Sequence, residues 1–141
     1  MSPFPYLSSA PWLAILLCIV WSFVVGFVWY STAVFGTMWI RLTGLKVEYE
    51  KRNEGMNRAF MLEAIASFLM AFSLSFLAFI TNTTNIEDYL WIGLIVAFGV
   101  GFKGFLSRAA WEQTDFKLVI LNSGALLVTI LGMCLILALL G

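Results

Sequence analysis

The sequence predicts an all-α membrane protein, a bundle of four transmembrane helices in one domain that spans residues 1–141. Four long apolar runs fill most of the chain, of which 62% of the residues are hydrophobic and 11% charged. Each run has about 17–23 residues, and a helix that rises about 1.5 Å per residue needs about 20 to cross the hydrocarbon layer. The first run ends near Tyr30, with an apolar extension to Ile40. The predicted spans are 12–40, 59–80, 89–109 and 117–140.

The basic residues predict how the four spans are oriented. All eight Lys and Arg residues lie within 41–58 or 103–117, and the 81–88 connection contains none. The two terminal segments also lack basic residues. Because basic connections stay in the cytoplasm, we expect a multi-pass protein of the cell membrane with both termini on the non-cytoplasmic side.

Local signals mark where three of the spans begin. Pro11 suits the first turn of a helix that begins at Trp12. Thr84 comes three residues before Glu87, which is the spacing of a capping box at the start of the third span. Asp115 can cap the fourth span, because an acidic group is favourable at the positive end of a helix dipole.

The residue inventory excludes several kinds of chemistry. The chain has no histidine, which removes His-based triads and His-ligated haem or zinc, and its two cysteines, Cys18 and Cys134, form no CxxC pair. The segment GVGFKG matches the dinucleotide-binding pattern in letters only, because it lies inside an apolar run without a preceding strand. We therefore expect no cofactor and no metal. A formal net charge of zero argues against a nucleic-acid partner.

Small residues within the spans predict how the helices pack. In lipid there is no hydrophobic force between helices, so association depends on close approach at small side chains. This favours a homo-oligomer in the lipid bilayer. The residues predicted at helix contacts are Ser22, Gly26, Ala97, Gly101 and Gly104.

Three polar residues inside the spans form the predicted site. Glu63, Lys103 and Asn122 all fall in the cytoplasmic half of the bundle, and Arg58 lies at the start of the second span. A lone charge at that depth costs several kcal/mol, so we expect Glu63 and Lys103 to form an ion pair with Asn122 beside it. The group is either a structural clasp or a polar vestibule that opens to the cytoplasm.

Aromatic and glycine residues, with a few others, recur at particular spacings in both halves of the chain. They are Gly26, Trp29, Tyr30, Phe35, Gly36, Trp39 and Gly44 in the first half, and Gly101, Phe102, Gly104, 110–112, Asn122 and Gly124 in the second. With these residues the chain resembles the domain-of-unknown-function 1761 family of four-span membrane proteins. Ser31 and Thr32 stand where such sequences tend to have a Gly-Pro pair. The resemblance implies a four-helix membrane fold and no particular activity.

A second similarity is to the four-span glutathione-transferase and eicosanoid-enzyme family. The second helix of that family opens with Arg, Asn and Glu that bind glutathione near the cytoplasmic face. Arg58 and Ala59 match the start of its motif, but Leu62 stands at the Asn position and Glu63 comes too early. The similarity is therefore one of fold.

Three function classes follow from these observations. The favoured one is an oligomeric small-solute or ion channel or carrier with a polar vestibule on the cytoplasmic side. The alternatives are a membrane-embedded enzyme of the glutathione-transferase type, which would need a cofactor such as a thiol, and an accessory or assembly subunit of a membrane complex. The sequence favours a non-enzymatic role.

Overall fold

Four helical segments of the protein are long and apolar enough to cross a membrane, which confirms the predicted all-α, four-span fold. They are Trp12–Trp29, Asn57–Ile80, Ile86–Glu112 and Phe116–Leu140. The computed structural model describes residues 4–31, 34–43 and 52–141, and the side chains of 5–31, 34–42 and 57–141. Its helices are α1 (Phe4–Ser9), α2 (Trp12–Trp29), α3 (Gly36–Thr43), α4 (Arg52–Ile80), α5 (Ile86–Val96), α6 (Lys103–Glu112) and α7 (Phe116–Leu140). A π-helical turn, Ala97–Phe102, joins α5 to α6.

The first predicted span, 12–40, is not one helix. It breaks after Trp29, and the short helix α3 follows the turn. Within the turn the amide of Gly36 donates to the carbonyl of Ser31 at 2.7 Å. A β carbon at position 36 would lie 2.7 Å from that same carbonyl oxygen, so the turn needs glycine. The Gly-Pro pair of similar sequences is therefore not required for a helix break here.

The caps of the last two spans show one correct prediction and one correction. Asp115 caps α7, and its carboxylate accepts from the amide of Lys117 at 2.9 Å. At the start of α5 the cap is Asn85, which accepts from the amide of Asp88 at 2.9 Å. The capping-box prediction at Thr84 was therefore wrong by one residue, because an Asn side chain can cap a helix as well as Thr.

Helices α2 and α7 form the centre of the bundle. They pack on each other along their length, while α4 packs mainly on α2, and α5 packs mainly on α7. Helix α4 makes only minor contacts with α7 and no extensive contact with α6. The side of the bundle between α4 and α6 is consequently open.

Two tryptophans hold α2 against α7. Trp29 donates from its indole nitrogen to the carbonyl of Leu121 at 3.1 Å, and its ring lies over Gly124, where a β carbon would be 2.9 Å from it. About two turns earlier in α2, the indole nitrogen of Trp21 donates to the carbonyl of Val128 at 3.3 Å, and the ring of Trp21 covers Gly132 in the same way. Glycine at both positions lets an indole reach the backbone of the facing helix.

The two ends of the bundle are packed differently. The terminal end, where α1 and the 81–85 connection lie, contains the buried apolar core around Ile15, Leu74, Ile130 and Leu137. The other end, called the basic end below, contains α3 and the connection between α6 and α7. The fully buried large side chains all belong to the terminal half or the middle of the bundle, within the part of the chain described.

Candidate functional site: a carboxylate-lined cavity at the basic end

A cavity of about 310 Å³ lies between α2, α4 and α7 towards the basic end. We call it the inner cavity. Its apolar wall includes Met70, Phe105 and Met133. The polar side chains that line it are Ser22, Tyr30, Glu63, Ser67, Asn122 and Thr129.

Among the described residues Glu63 is the only charged one that lines this cavity, and its side chain is exposed. Ser22 donates to its Oε1 atom at 3.2 Å, and Ser67 donates to the oxygen of Ser22 at 2.8 Å. The hydroxyl oxygen of Ser67 also lies 3.3 Å from Oε1. Within the described residues no hydrogen bond reaches Oε2, so half of the carboxylate is available to a ligand.

The local sequence explains this arrangement. Glu63 and Ser67 are four residues apart on α4, which places them on one helix face directed at α2. Ser22 is buried where α2 faces α4, and its small side chain brings the hydroxyl within reach of the carboxylate. A serine at a close helix contact thus also serves as a hydrogen-bond donor.

A hydrogen bond between two other residues of the lining joins α2 to α7 at the wall of the inner cavity. The Tyr30 hydroxyl donates to Oδ1 of Asn122 at 2.7 Å, which joins the end of α2 to the first turns of α7. The ring of Tyr30 is also in edge contact with Trp39 of α3, with ring centroids 5.6 Å apart.

Beyond that bond lies another cavity, of about 320 Å³, which we call the entry cavity. It is lined by Arg108, Trp39 and Thr114, with apolar residues of α3 and α7. Phe105 and Asn122 line both cavities. The two spaces are therefore neighbours, with Phe105 and Asn122 common to their walls.

The π-helical turn decides which residue of α6 faces the cavities. Phe105 comes eight residues after Ala97, so an unbroken α-helix would direct it about 80° away from the Ala97 face. The wide turn inserts about one extra residue and brings Phe105 back to within about 20° of that face. Hydrophobic periodicity alone does not reveal such a turn.

Lys103 does not join Glu63. It lies six residues after Ala97, about 120° or more around the helix from the face that packs on α7, and it is exposed and outside both cavity linings. Within the described residues Glu63 has no ion-pair partner. The predicted Glu63–Lys103 ion pair is therefore not formed, because equal depth in the membrane does not imply a shared helix face.

Arg58 is exposed and also outside both linings, whereas Asn122 and Glu63 line the same inner cavity. Leu62, which takes the Asn position of the glutathione-transferase motif, is 51% exposed and points away from the site. The structure thus brings together two of the four residues predicted as a site. That they have a functional role remains a prediction.

The small residues predicted at helix contacts fall into two groups. Ser22 and Ala97 are buried, and a β carbon at Gly101 would overlap the side chain of Leu126. At Gly26 and Gly104 a β carbon would meet no atom within 4 Å, so neither makes a close contact within the described chain. Gly26 instead lines the inner cavity.

Sequence reasoning missed Gly132 and the tryptophan contacts. A signal was present: Trp21 and Trp29 are eight residues apart on one span, and Gly124 and Gly132 are eight apart on another. Equal spacing on two antiparallel helices is what a repeated ring-on-glycine contact requires. Cys18 and Cys134 are both fully buried in the same core cluster, where α2 packs on α7.

Comparison with known sequences identifies the family. The sequence model of a protein family of unknown function, DUF1761, matches residues 13–138, nearly the whole chain. The chain belongs to the DUF1761 family. Neither the comparison with curated proteins nor that with solved structures finds a match. The membership confirms the resemblance and assigns no activity.

Several residues that carry the DUF1761 resemblance surround the two cavities in this structure. Tyr30 lines the inner cavity, Trp39 the entry cavity and Asn122 both. Gly36 forms the turn that brings α3 over the entry cavity, while Gly44 lies outside the described residues. The chain also contains no group of three or more His, Cys, Asp or Glu side chains placed to hold a metal, as far as its described residues extend.

Proposed function

We propose that this DUF1761 protein is a small-solute or ion channel or carrier, and that the entry and inner cavities form its polar vestibule. The observation that carries the proposal is the Glu63 carboxylate, which lines the inner cavity and accepts hydrogen bonds from described residues at one of its two oxygens, Oε1. The two neighbouring cavities supply a route from the basic end of the bundle to that group.

The depth of Glu63 supports a functional role over a structural one. It lies six residues after the start of the Asn57–Ile80 span, about 9 Å along the helix. The charged form of a carboxylate at membrane depth is costly unless a cation neutralises it, and the hydroxyls of Ser22 and Ser67 satisfy only one of its oxygens. Since the described residues supply no cation, a cationic ligand would stabilise the charged form, which supports a binding role for Glu63.

The proposed orientation places the vestibule on the cytoplasmic side. Among the described basic residues, Arg41 at the end of α3 and Lys117 at the start of α7 lie at the basic end, and basic connections stay in the cytoplasm. The two termini then lie on the other side of the cell membrane. The cavities would consequently exchange solutes with the cytoplasm.

The proposed assembly is a homo-oligomer. The bundle is open between α4 and α6, while its terminal half is filled by core side chains such as Leu74 and Met133. A path for a solute through one copy therefore ends at this core. A second copy that covers the open side would supply the remaining wall, and Gly104, where an added β carbon would meet no described atom within 4 Å, is available for such a contact.

The test is solute flux in proteoliposomes that contain the purified full-length protein. We expect efflux of small cations and amines that depends on the protein and falls to background in Glu63→Gln. The matched control is Glu87→Gln, which removes an exposed carboxylate in the first turn of α5, at the terminal end. Equal flux in liposomes with and without the protein would refute the proposal.

A further inference from the structure

We propose that the inner cavity binds a small organic monocation, a protonated amine whose ammonium group lies against Glu63. This inference rests on the proposed function, because it assigns a chemical class of solute to the same vestibule. It follows from the charge, the donor set and the walls of the cavity.

The charge of the cavity is a single negative one. Glu63 is the only charged residue of its lining within the described part of the chain. Arg108, which lines the entry cavity, is paired with Glu112 at 2.7 Å. A cation that entered would therefore find one uncompensated carboxylate, with Oε2 free to accept its hydrogen bonds.

The donor set is poor for a divalent metal. Ca²⁺ takes six to eight oxygen ligands and Mg²⁺ requires near-octahedral geometry, usually with more than one carboxylate or phosphate. The inner cavity offers one carboxylate, and the hydroxyl of Ser22 is already donated to it. An ammonium group instead needs only a few acceptors, and the free oxygen of Glu63 is placed to be the first.

The walls are suited to an organic body. Tyr30 and Phe105 present aromatic rings, and Met70 and Met133 line the same space. Aromatic faces attract cations, and thioethers adapt to varied apolar shapes. A volume of 310 Å³ lies at the small end of ligand sites and equals that of about ten waters, so the solute is small.

Binding is measured by isothermal titration calorimetry on the full-length protein in a nonionic detergent, with ionic strength held constant by NaCl. The probe is benzylammonium chloride. Benzyl alcohol is the neutral control, since it has the same number of non-hydrogen atoms and no charge. We expect saturable binding of benzylammonium and no saturable binding of benzyl alcohol, with MgCl₂ unable to compete at equal ionic strength.

The decisive variant is Glu63→Gln, with Glu87→Gln as the matched loss of a distant carboxylate. Removing one charge-assisted hydrogen bond should weaken benzylammonium binding about tenfold or more in the first variant and leave the second unchanged. Gel filtration and thermal unfolding of each variant, compared with the wild-type protein, establish that the variant is folded. Glu63→Asp, which keeps the charge, should retain part of the affinity.

Two results would overturn the inference: equal affinity of the wild-type protein for benzylammonium and benzyl alcohol, or benzylammonium affinity unchanged in folded Glu63→Gln. The first needs no variant, so the inference stays testable if Glu63→Gln fails to fold. Saturable binding without flux would refute the proposed transport while supporting the amine site. Flux of neutral solutes without benzylammonium binding would refute the amine site while supporting the proposed transport.

Discussion

The terminal half and the basic half of this bundle are built from the same helices but held together differently. In the terminal half apolar side chains fill the space between helices, with Ile130 and Leu137 almost fully buried. In the basic half the same helices diverge around two cavities and are joined by hydrogen bonds, such as the one from Tyr30 to Asn122.

This comparison indicates which half of the bundle stabilises the fold and which half has space for a ligand. In lipid, close packing and interhelical hydrogen bonds stabilise a bundle, because burial from lipid gives no hydrophobic gain. The terminal half has most of the packing. The basic half has less packing around Glu63 and contains the two cavities, as the proposed vestibule requires.

The largest expected difference is that the two ends of the bundle lie on opposite sides of the membrane. With the native cysteines buried, a Thr84→Cys variant should react with a membrane-impermeant maleimide added to intact cells, and Gln113→Cys should react only after the cells are opened. Both positions are exposed in turns outside the spans. The opposite labelling pattern would invert the orientation and put the vestibule outside.

The next largest difference concerns stability, measured when a side chain is shortened in the apolar core or on the lipid-facing surface. Ile130→Ala in α7 removes a side chain that is 0% exposed, and we expect a loss of about 2–4 kcal/mol in the free energy of unfolding. Ile120→Ala is the matched control on the same helix, because Ile120 is 59% exposed to lipid. Its loss should stay below about 1 kcal/mol. Unfolding in bicelles measures both, and equal losses would show that the terminal core is not the stabilising unit.

A methyl group added to glycine gives a finer contrast. A β carbon at Gly132 would overlap the indole of Trp21, so Gly132→Ala should cost about 1–3 kcal/mol by overpacking. Gly104→Ala meets no atom and should be neutral or stabilise the helix by up to about 1 kcal/mol. Indole fluorescence should shift in the first variant only. If Gly104→Ala destabilises instead, a neighbouring copy of the chain contacts that position.

The smallest contrast concerns two tyrosine hydroxyls. Tyr30→Phe removes the 2.7 Å bond to Asn122, with an expected loss of about 1 kcal/mol and easier access to the inner cavity. Tyr6→Phe is the control, because its buried hydroxyl, surrounded by the rings of Phe72, Phe76 and Phe79, makes no hydrogen bond of good geometry with the described residues. Burial raises the pKa of Tyr6, and the side chain of Ser75 offsets part of this effect. Tyr6→Phe should therefore be neutral or slightly stabilising in the same unfolding experiment, and a larger loss there than in Tyr30→Phe would reverse the comparison.

The sequence by itself determined the four spans, because span length and apolar composition follow directly from the thickness of a bilayer. It also indicated that Glu63 lies inside a span, together with Lys103 and Asn122, because polar residues are conspicuous within apolar runs. The cap at Asp115 was equally readable, being a local interaction between neighbouring residues.

Only the tertiary structure decided which polar groups surround Glu63. Depth in the membrane can be counted along a sequence, but rotation about a helix axis cannot once a π-helical turn or a break intervenes. Lys103 was predicted at the same membrane depth as Glu63 but lies on another helix face. Phe105 lines the cavities because the turn at Ala97–Phe102 rotates it towards them. Ser22 and Tyr30 became part of the site because α2 packs between α4 and α7, a choice of neighbours that no single helix specifies.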